Sequence, residues 1–163
     1  MVEDQSYPRV KKFFFLFIFI LSLSKANSEN FKFVKIANLN NPWGSSFLNN
    51  DEMIITEKSG LIKIVNIINN QVNDVKHNLN FLEDGQGGLL DILHQENKVW
   101  ISYTENRGNR KTSTSIALAN LDKKNLVFKN IFQANPPINS GYHFGSRLAL
   151  KDNYLFASAG ERG

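Results

Sequence analysis

The chain has three histidines and no cysteine, which bounds its nucleophilic and metal chemistry. His77 sits in a polar stretch and His94 in a turn between strands. Neither has a second ligand at metal spacing, so both read as surface residues. His143 is placed differently, at a loop-to-strand junction in Gly141-Tyr142-His143-Phe144-Gly145, where two glycines give the backbone freedom to aim a side chain at a shared rim. An imidazole there can act as a general base near neutral pH, and a purely structural histidine is the other reading of the same residues. Gly85-Gln86-Gly87-Gly88 lacks the strand-before, helix-after setting and the Lys-Ser/Thr of a phosphate loop. It reads as a sharp turn at a strand entry, or as a loop that brings the Gln86 amide to the same rim as His143. Arg147 reads as a charge that pairs with Asp91 or Glu161, or as an anion contact. Ser45, Ser46 and Ser146 have no base and carboxylate at suitable places for a hydrolase triad. The absence of cysteine excludes disulfides, thiolate metal sites and cysteine nucleophiles.

The elements that must position these residues repeat at long range. Trp43-Gly44-Ser45-Ser46-Phe47-Leu48 runs parallel to Phe144-Gly145-Ser146-Arg147-Leu148-Ala149, Asp51 then matches Asp152, and Met53-Ile54-Ile55 matches Tyr154-Leu155-Phe156 at the same offset. Lys98 to Tyr103 lies midway and reads as an intervening copy. The unit is therefore roughly 45 to 55 residues, within the range of propeller blades. Alternation predicts a half-buried strand at Phe31 to Ile36, and further strands follow at Phe47-Leu48, Met53 to Thr56 and Leu61 to Ile68, which complete a first blade. Leu89 to Leu93, Lys98 to Tyr103, Ile116 to Leu121 and Phe128 to Phe132 make a second. Asn135 to Gly141, with paired prolines, crosses over, and a third blade opens at His143. The expected class is all-β, a β-propeller of which this chain covers about the first half, since propellers close with about four to eight blades. A bare half array also allows a third reading, an exported partner-binding chain whose open edges are buried in an oligomer.

Residues 1–26 are set aside as a signal peptide, and 27–163 are read as the propeller portion. Lys11-Lys12 precede the apolar run Phe13 to Leu23, and Ser24-Lys25-Ala26 offers small residues at the spacing a signal peptidase reads. At 1.5 Å per residue the run covers about 16 Å as a helix, against a hydrocarbon core of about 30 Å, so no stable membrane span is expected. The location implied is periplasmic or secreted. The net charge of +4 is modest. Arg107-Gly108-Asn109-Arg110-Lys111 has no interleaved aromatics to stack on bases, which argues against a nucleic-acid partner.

Taken together, Pro42-Trp43-Gly44 with Phe47-Leu48, Thr56-Glu57-Lys58-Ser59-Gly60, Gly85 to Asp91, Ser102-Tyr103, His143 to Leu148 and Gly160-Glu161-Arg162-Gly163 resemble the glucose/sorbosone dehydrogenase family. The resemblance implies a six-bladed, exported propeller that uses pyrroloquinoline quinone and calcium to oxidise an aldose at its anomeric carbon to the lactone, and passes electrons to an external acceptor. It places His143 on the family's general base and Gln86 on its substrate-side glutamine, with the cofactor carrying the hard step. Arg147 is a candidate cofactor contact. No metal ligand is assigned within the chain, because most ligands of the quinone and calcium are expected beyond Gly163, so that this portion would be inactive by itself. Tyr142 stands where some glucose-oxidising members carry an acid, which leaves the sugar open. The alternative reading is a non-enzymatic exported propeller that serves as a binding module.

Overall fold

The computed structural model describes residues 31 to 162, and the signal-peptide expectation for residues 1–26 lies outside them. All regular structure among the described residues is β. The strands are β1 (Pro42–Phe47), β2 (Glu52–Glu57), β3 (Leu61–Asn66), β4 (Val72–His77), β5 (Leu89–Gln95), β6 (Lys98–Asn106), β7 (Thr112–Asn120), β8 (Asn125–Leu126), β9 (Lys129–Gln133), β10 (Gly145–Lys151) and β11 (Tyr154–Ala159). They form three sheets, ordered β1-β2-β3-β4-β8, β5-β6-β7-β9 and β10-β11. Within each sheet successive strands are antiparallel, and the exception is β8, which pairs in parallel with β4. The chain thus leaves the second sheet after β7, touches the rim of the first, and returns as β9.

Apolar alternation builds the core. Ile54, Ile62, Ile64 and Val75 of the first sheet and Leu89, Ile92, Val99, Ile101 and Ala117 of the second are each almost wholly buried in one cluster, sealed by Leu126 and Phe128. Burial of such side chains contributes about 1.5 to 3 kcal/mol apiece, an upper figure because unfolded chains already bury part of their surface. The three copies seen in the sequence are the first two strands of each sheet: β1-β2, β5-β6 and β10-β11.

Each first strand carries a register shift at the same place, between Pro42 and Ser45, Leu89 and Ile92, and Gly145 and Leu148. The shift lifts an N–H off the ladder, and a hydroxyl on the second strand accepts it. Gly44 N–H donates to Thr56 Oγ1 at 2.9 Å, Asp91 N–H to Ser102 Oγ at 3.0 Å, and Arg147 N–H to Ser158 Oγ at 2.9 Å. In the first two copies the hydroxyl then donates across to the next first strand, Thr56 to Leu90 O at 2.5 Å and Ser102 to Ser146 O at 2.6 Å. A Cβ on Gly44 would fall 2.7 Å from Leu90 O, so only glycine lets β1 and β5 approach this closely. Asp91, a residue 6% exposed, adds a further tie to β10 by accepting Leu148 N–H on its carboxylate at 2.8 Å.

Three expectations are corrected. No strand forms at Phe31 to Ile36, where residues 31 to 39 are irregular, because alternation supplies a face but no partner for the backbone groups. β7 begins at Thr112 rather than Ile116, since Thr112, Ser113, Thr114 and Ser115 are buried with their hydroxyls engaged. His94 lies on β5 instead of in a turn, and the polar stretch that holds His77 is itself a strand, β4. His77 Nε2 is 2.8 Å from Gly60 O, and the two nitrogens of His94 are 3.0 and 2.8 Å from Phe47 O and Glu96 O.

Ser102→Ala leaves Asp91 N–H and Ser146 O buried without their hydroxyl partner. Stability is expected to fall by about 1 to 3 kcal/mol in urea unfolding with an unchanged slope, and to fall less for Ser158→Ala, whose residue is exposed. A second expectation concerns alkali. Burial pushes the Tyr103 phenol up to about 12 from an ordinary 10.0, partly offset by its bond to Asn130 Oδ1 at 2.8 Å. The folded state therefore favours the neutral phenol, so its contribution is complete below pH 10 and is lost as the pH rises toward 12. Tyr103→Phe should flatten the decline of the unfolding midpoint across that window.

Candidate active site

Three segments meet where β5 and β10 begin: the loop of residues 84 to 88, the loop of residues 139 to 144, and Gly160 to Arg162 after β11. The register that pairs Gly145 with Ala159 returns the last of these to the start of the third sheet. Gly160 N–H donates to Phe144 O at 3.2 Å, and a Cβ at Gly160 would sit 1.8 Å from His143 O, so the approach requires glycine. The first two loops are joined directly. Gln86 N–H donates to Gly141 O at 2.7 Å, His143 N–H donates to Gln86 Oε1 at 3.0 Å, and Lys58 Nζ holds the adjoining Gly85 O at 2.5 Å.

His143 is exposed and adopts φ 51°, a left-handed conformation uncommon for a residue with a Cβ. Its Nδ1 is hydrogen-bonded to Glu161 Oε1. An ionised carboxylate only accepts, so Nδ1 carries the proton in the neutral ring and Nε2 keeps a lone pair. The Gln86 amide is oriented by the same logic. Its oxygen faces the His143 N–H, which leaves the NH₂ group of this exposed residue as a donor. The Tyr142 ring lies beside the imidazole, with centroids 6.2 Å apart and tilted by 60°.

Residues 39 to 163 match the sequence profile described as Glucose / Sorbosone dehydrogenase. The chain belongs to the glucose/sorbosone dehydrogenase family. It is 30% identical over 133 residues to the aldose sugar dehydrogenase YliI of Escherichia coli K12, an alignment that takes in 76% of this chain and 36% of that protein. The crystal structure of the soluble aldose sugar dehydrogenase from Escherichia coli in its apo form superposes with a TM-score of 0.70 at 29% identity, over 76% of this chain and 39% of the other. The PQQ-bound aldose sugar dehydrogenase of Streptomyces coelicolor shares the fold with a TM-score of 0.69 at 22% identity, over 80% of this chain and 41% of the other. This chain therefore spans well under half the length of the relatives it matches.

Within this family member, the two residues singled out from sequence, His143 and Gln86, are brought into contact through the backbone. Arg147 Nη1 is 3.4 Å from Oδ1 of Asp91, one of the two partners considered for it and a residue of the neighbouring sheet, while the Arg147 side chain stays 79% exposed. Glu161, the other partner considered for Arg147, stands behind His143 instead. Sequence reasoning missed that pairing, because an acid on the far side of a hairpin has no local signal; only the hairpin register places it. It also assigned nothing to Arg162, whose guanidinium stacks 3.8 Å over the Phe144 ring and whose pKa burial holds below its ordinary value. No group of three or more His, Cys, Asp or Glu side chains that could hold a metal ion stands among the described residues. Among them, no helix is long and apolar enough to cross a membrane.

Glu161→Leu removes the acceptor that holds the proton on Nδ1. In ¹⁵N spectra of the neutral imidazole, the wild-type protein is expected to show His143 protonated at Nδ1, and the variant to show the proton redistributed toward Nε2. An unchanged tautomer would mean that Glu161 does not orient the ring.

Proposed function

We propose that this chain is the proton-abstracting part of a pyrroloquinoline-quinone-dependent aldose dehydrogenase, built as a six-bladed β-propeller and exported to the periplasm or beyond by the segment 1–26. The observation that carries the reading is the orientation of His143: Nδ1 is committed to Glu161 and Nε2 is left as an acceptor, while the Gln86 amide that holds the His143 N–H through its oxygen keeps its NH₂ as a donor. In the reaction, His143 Nε2 takes the proton of the anomeric hydroxyl while the C1–H bond breaks with its electron pair, and the sugar is left as a lactone. Glu161 stabilises the imidazolium that forms and keeps Nε2 aimed outward. The Gln86 NH₂ donates to a sugar oxygen and turns the anomeric carbon toward the base. Pyrroloquinoline quinone, with calcium, would supply the acceptor of that electron pair when bound, and an external acceptor would take the electrons onward.

The described residues fit the substrate side of such a site. Toward the quinone they offer the exposed guanidinium of Arg147, which suits a carboxylate. The rest of the cofactor's cradle is assigned to the part of the relatives' length that this chain does not span. Support for the cofactor comes from membership of the family together with the PQQ-bound Streptomyces relative.

The test is sugar-dependent dye reduction by the full-length protein supplied with the quinone and calcium. His143→Ala is expected to lower kcat by about 10²- to 10⁴-fold, the range of general-base catalysis. Equal turnover by the variant and the parent would remove His143 from the chemistry.

A further inference from the structure

The peptide unit that joins Tyr142 to His143 is held from both sides by side chains of different segments. On one side its N–H donates to Gln86 Oε1 at 3.0 Å, and on the other its carbonyl accepts Arg162 Nε–H at 3.1 Å. The orientation of this peptide plane sets φ of His143, which is 51°. Arg162 is itself anchored. Its Nη2 donates to Ser140 O at 2.6 Å and to Thr112 Oγ1 at 2.8 Å, its Nη1 reaches Thr112 O at 3.4 Å, and its own carbonyl accepts the Ser140 hydroxyl at 2.6 Å. Thr112 lies on β7 and is 1% exposed, so the guanidinium is fixed to a buried strand of the second sheet. The planar fork holds several carbonyls at fixed angles, which an ammonium cannot do.

We propose that Arg162 is a positioning residue for the base: with the Gln86 oxygen it clamps the Tyr142–His143 peptide and so enforces the left-handed backbone that presents the imidazole to Glu161. Gln86 then has two roles on two atoms, its oxygen holding the base and its NH₂ group facing the substrate. The catalytic part of this inference rests on His143 being the base; the clamp itself does not.

Hydrogen exchange of the His143 amide in the full-length protein reads the clamp directly, without cofactor or turnover. Arg162→Met and Arg162→Lys are expected to speed that exchange by about tenfold or more, since local opening sets amide protection. Lysine keeps a cation over Phe144 but loses the Nε–H to Tyr142 O. Gln86→Ala should release the amide likewise, and Gln86→Glu, which retains an acceptor, should keep it protected. In the loaded enzyme, both Arg162 variants should lower kcat by about tenfold or more with KM nearly unchanged, as expected when a group that acts only in the transition state is misplaced. Wild-type protection of the His143 amide in the folded Arg162 variants would overturn the proposal, as would a raised KM with kcat intact. If Arg162→Met does not fold, Arg162→Lys and Gln86→Ala still give the exchange result. If His143→Ala proves as active as the parent, the catalytic reading fails, while the exchange data continue to judge the clamp.

Discussion

The buried hydroxyls of Thr56 and Ser102 carry the arrangement on which the rest of the structure depends. Each accepts the N–H that a register shift has lifted off its own first strand and donates to a carbonyl on the first strand of the next sheet. A backbone group displaced from a ladder and left buried is costly, by about 1 to 3 kcal/mol, so a shifted first strand is tolerable only with such a partner. The same atom that relieves this cost locks neighbouring sheets at a fixed separation. Side-by-side packing of β1, β5 and β10 therefore follows from local hydrogen-bond accounting as much as from the apolar core.

That packing decides where the chemistry can occur. Because the first strands start at a common end, the loops that enter β5 and β10 emerge together, and the hairpin of β10 and β11 brings Gly160 to Arg162 back to the same place. Phe144 is the hinge of the arrangement. It is 3% exposed, its carbonyl accepts both the Thr114 hydroxyl and Gly160 N–H, and its ring lies under the Arg162 guanidinium. The residue just before it can then be exposed and still rigid. His143 is exposed while its neighbour Phe144 is buried.

The division of labour around His143 is physical. A carboxylate on Nδ1 selects the tautomer, an amide oxygen and a guanidinium hold the peptide, and glycine at 160 lets the return segment come close enough for all of them to act. Gln86 Oε1 is taken by the His143 N–H, which leaves the NH₂ of that amide as a donor, and the neutral imidazole keeps Nε2 as an acceptor.

Sequence by itself determined the all-β class, the three copies of the strand pair and the turns between them, and it singled out His143 and Gln86, which the structure brings together. These are legible because alternation, turn chemistry and glycine placement act over a few residues. Where it failed, the deciding contact was remote. Phe31 to Ile36 alternates but forms no strand, the polar start of β7 is buried because carbonyls and carboxylates elsewhere receive its hydroxyls, and Asn125–Leu126, to which no element was assigned, joins the first sheet. Only the tertiary structure decided that Glu161 meets His143, and that Arg162 grips the peptide before His143. Those pairings depend on strand register and on how close two sheets can stand, and no spacing along the chain encodes either.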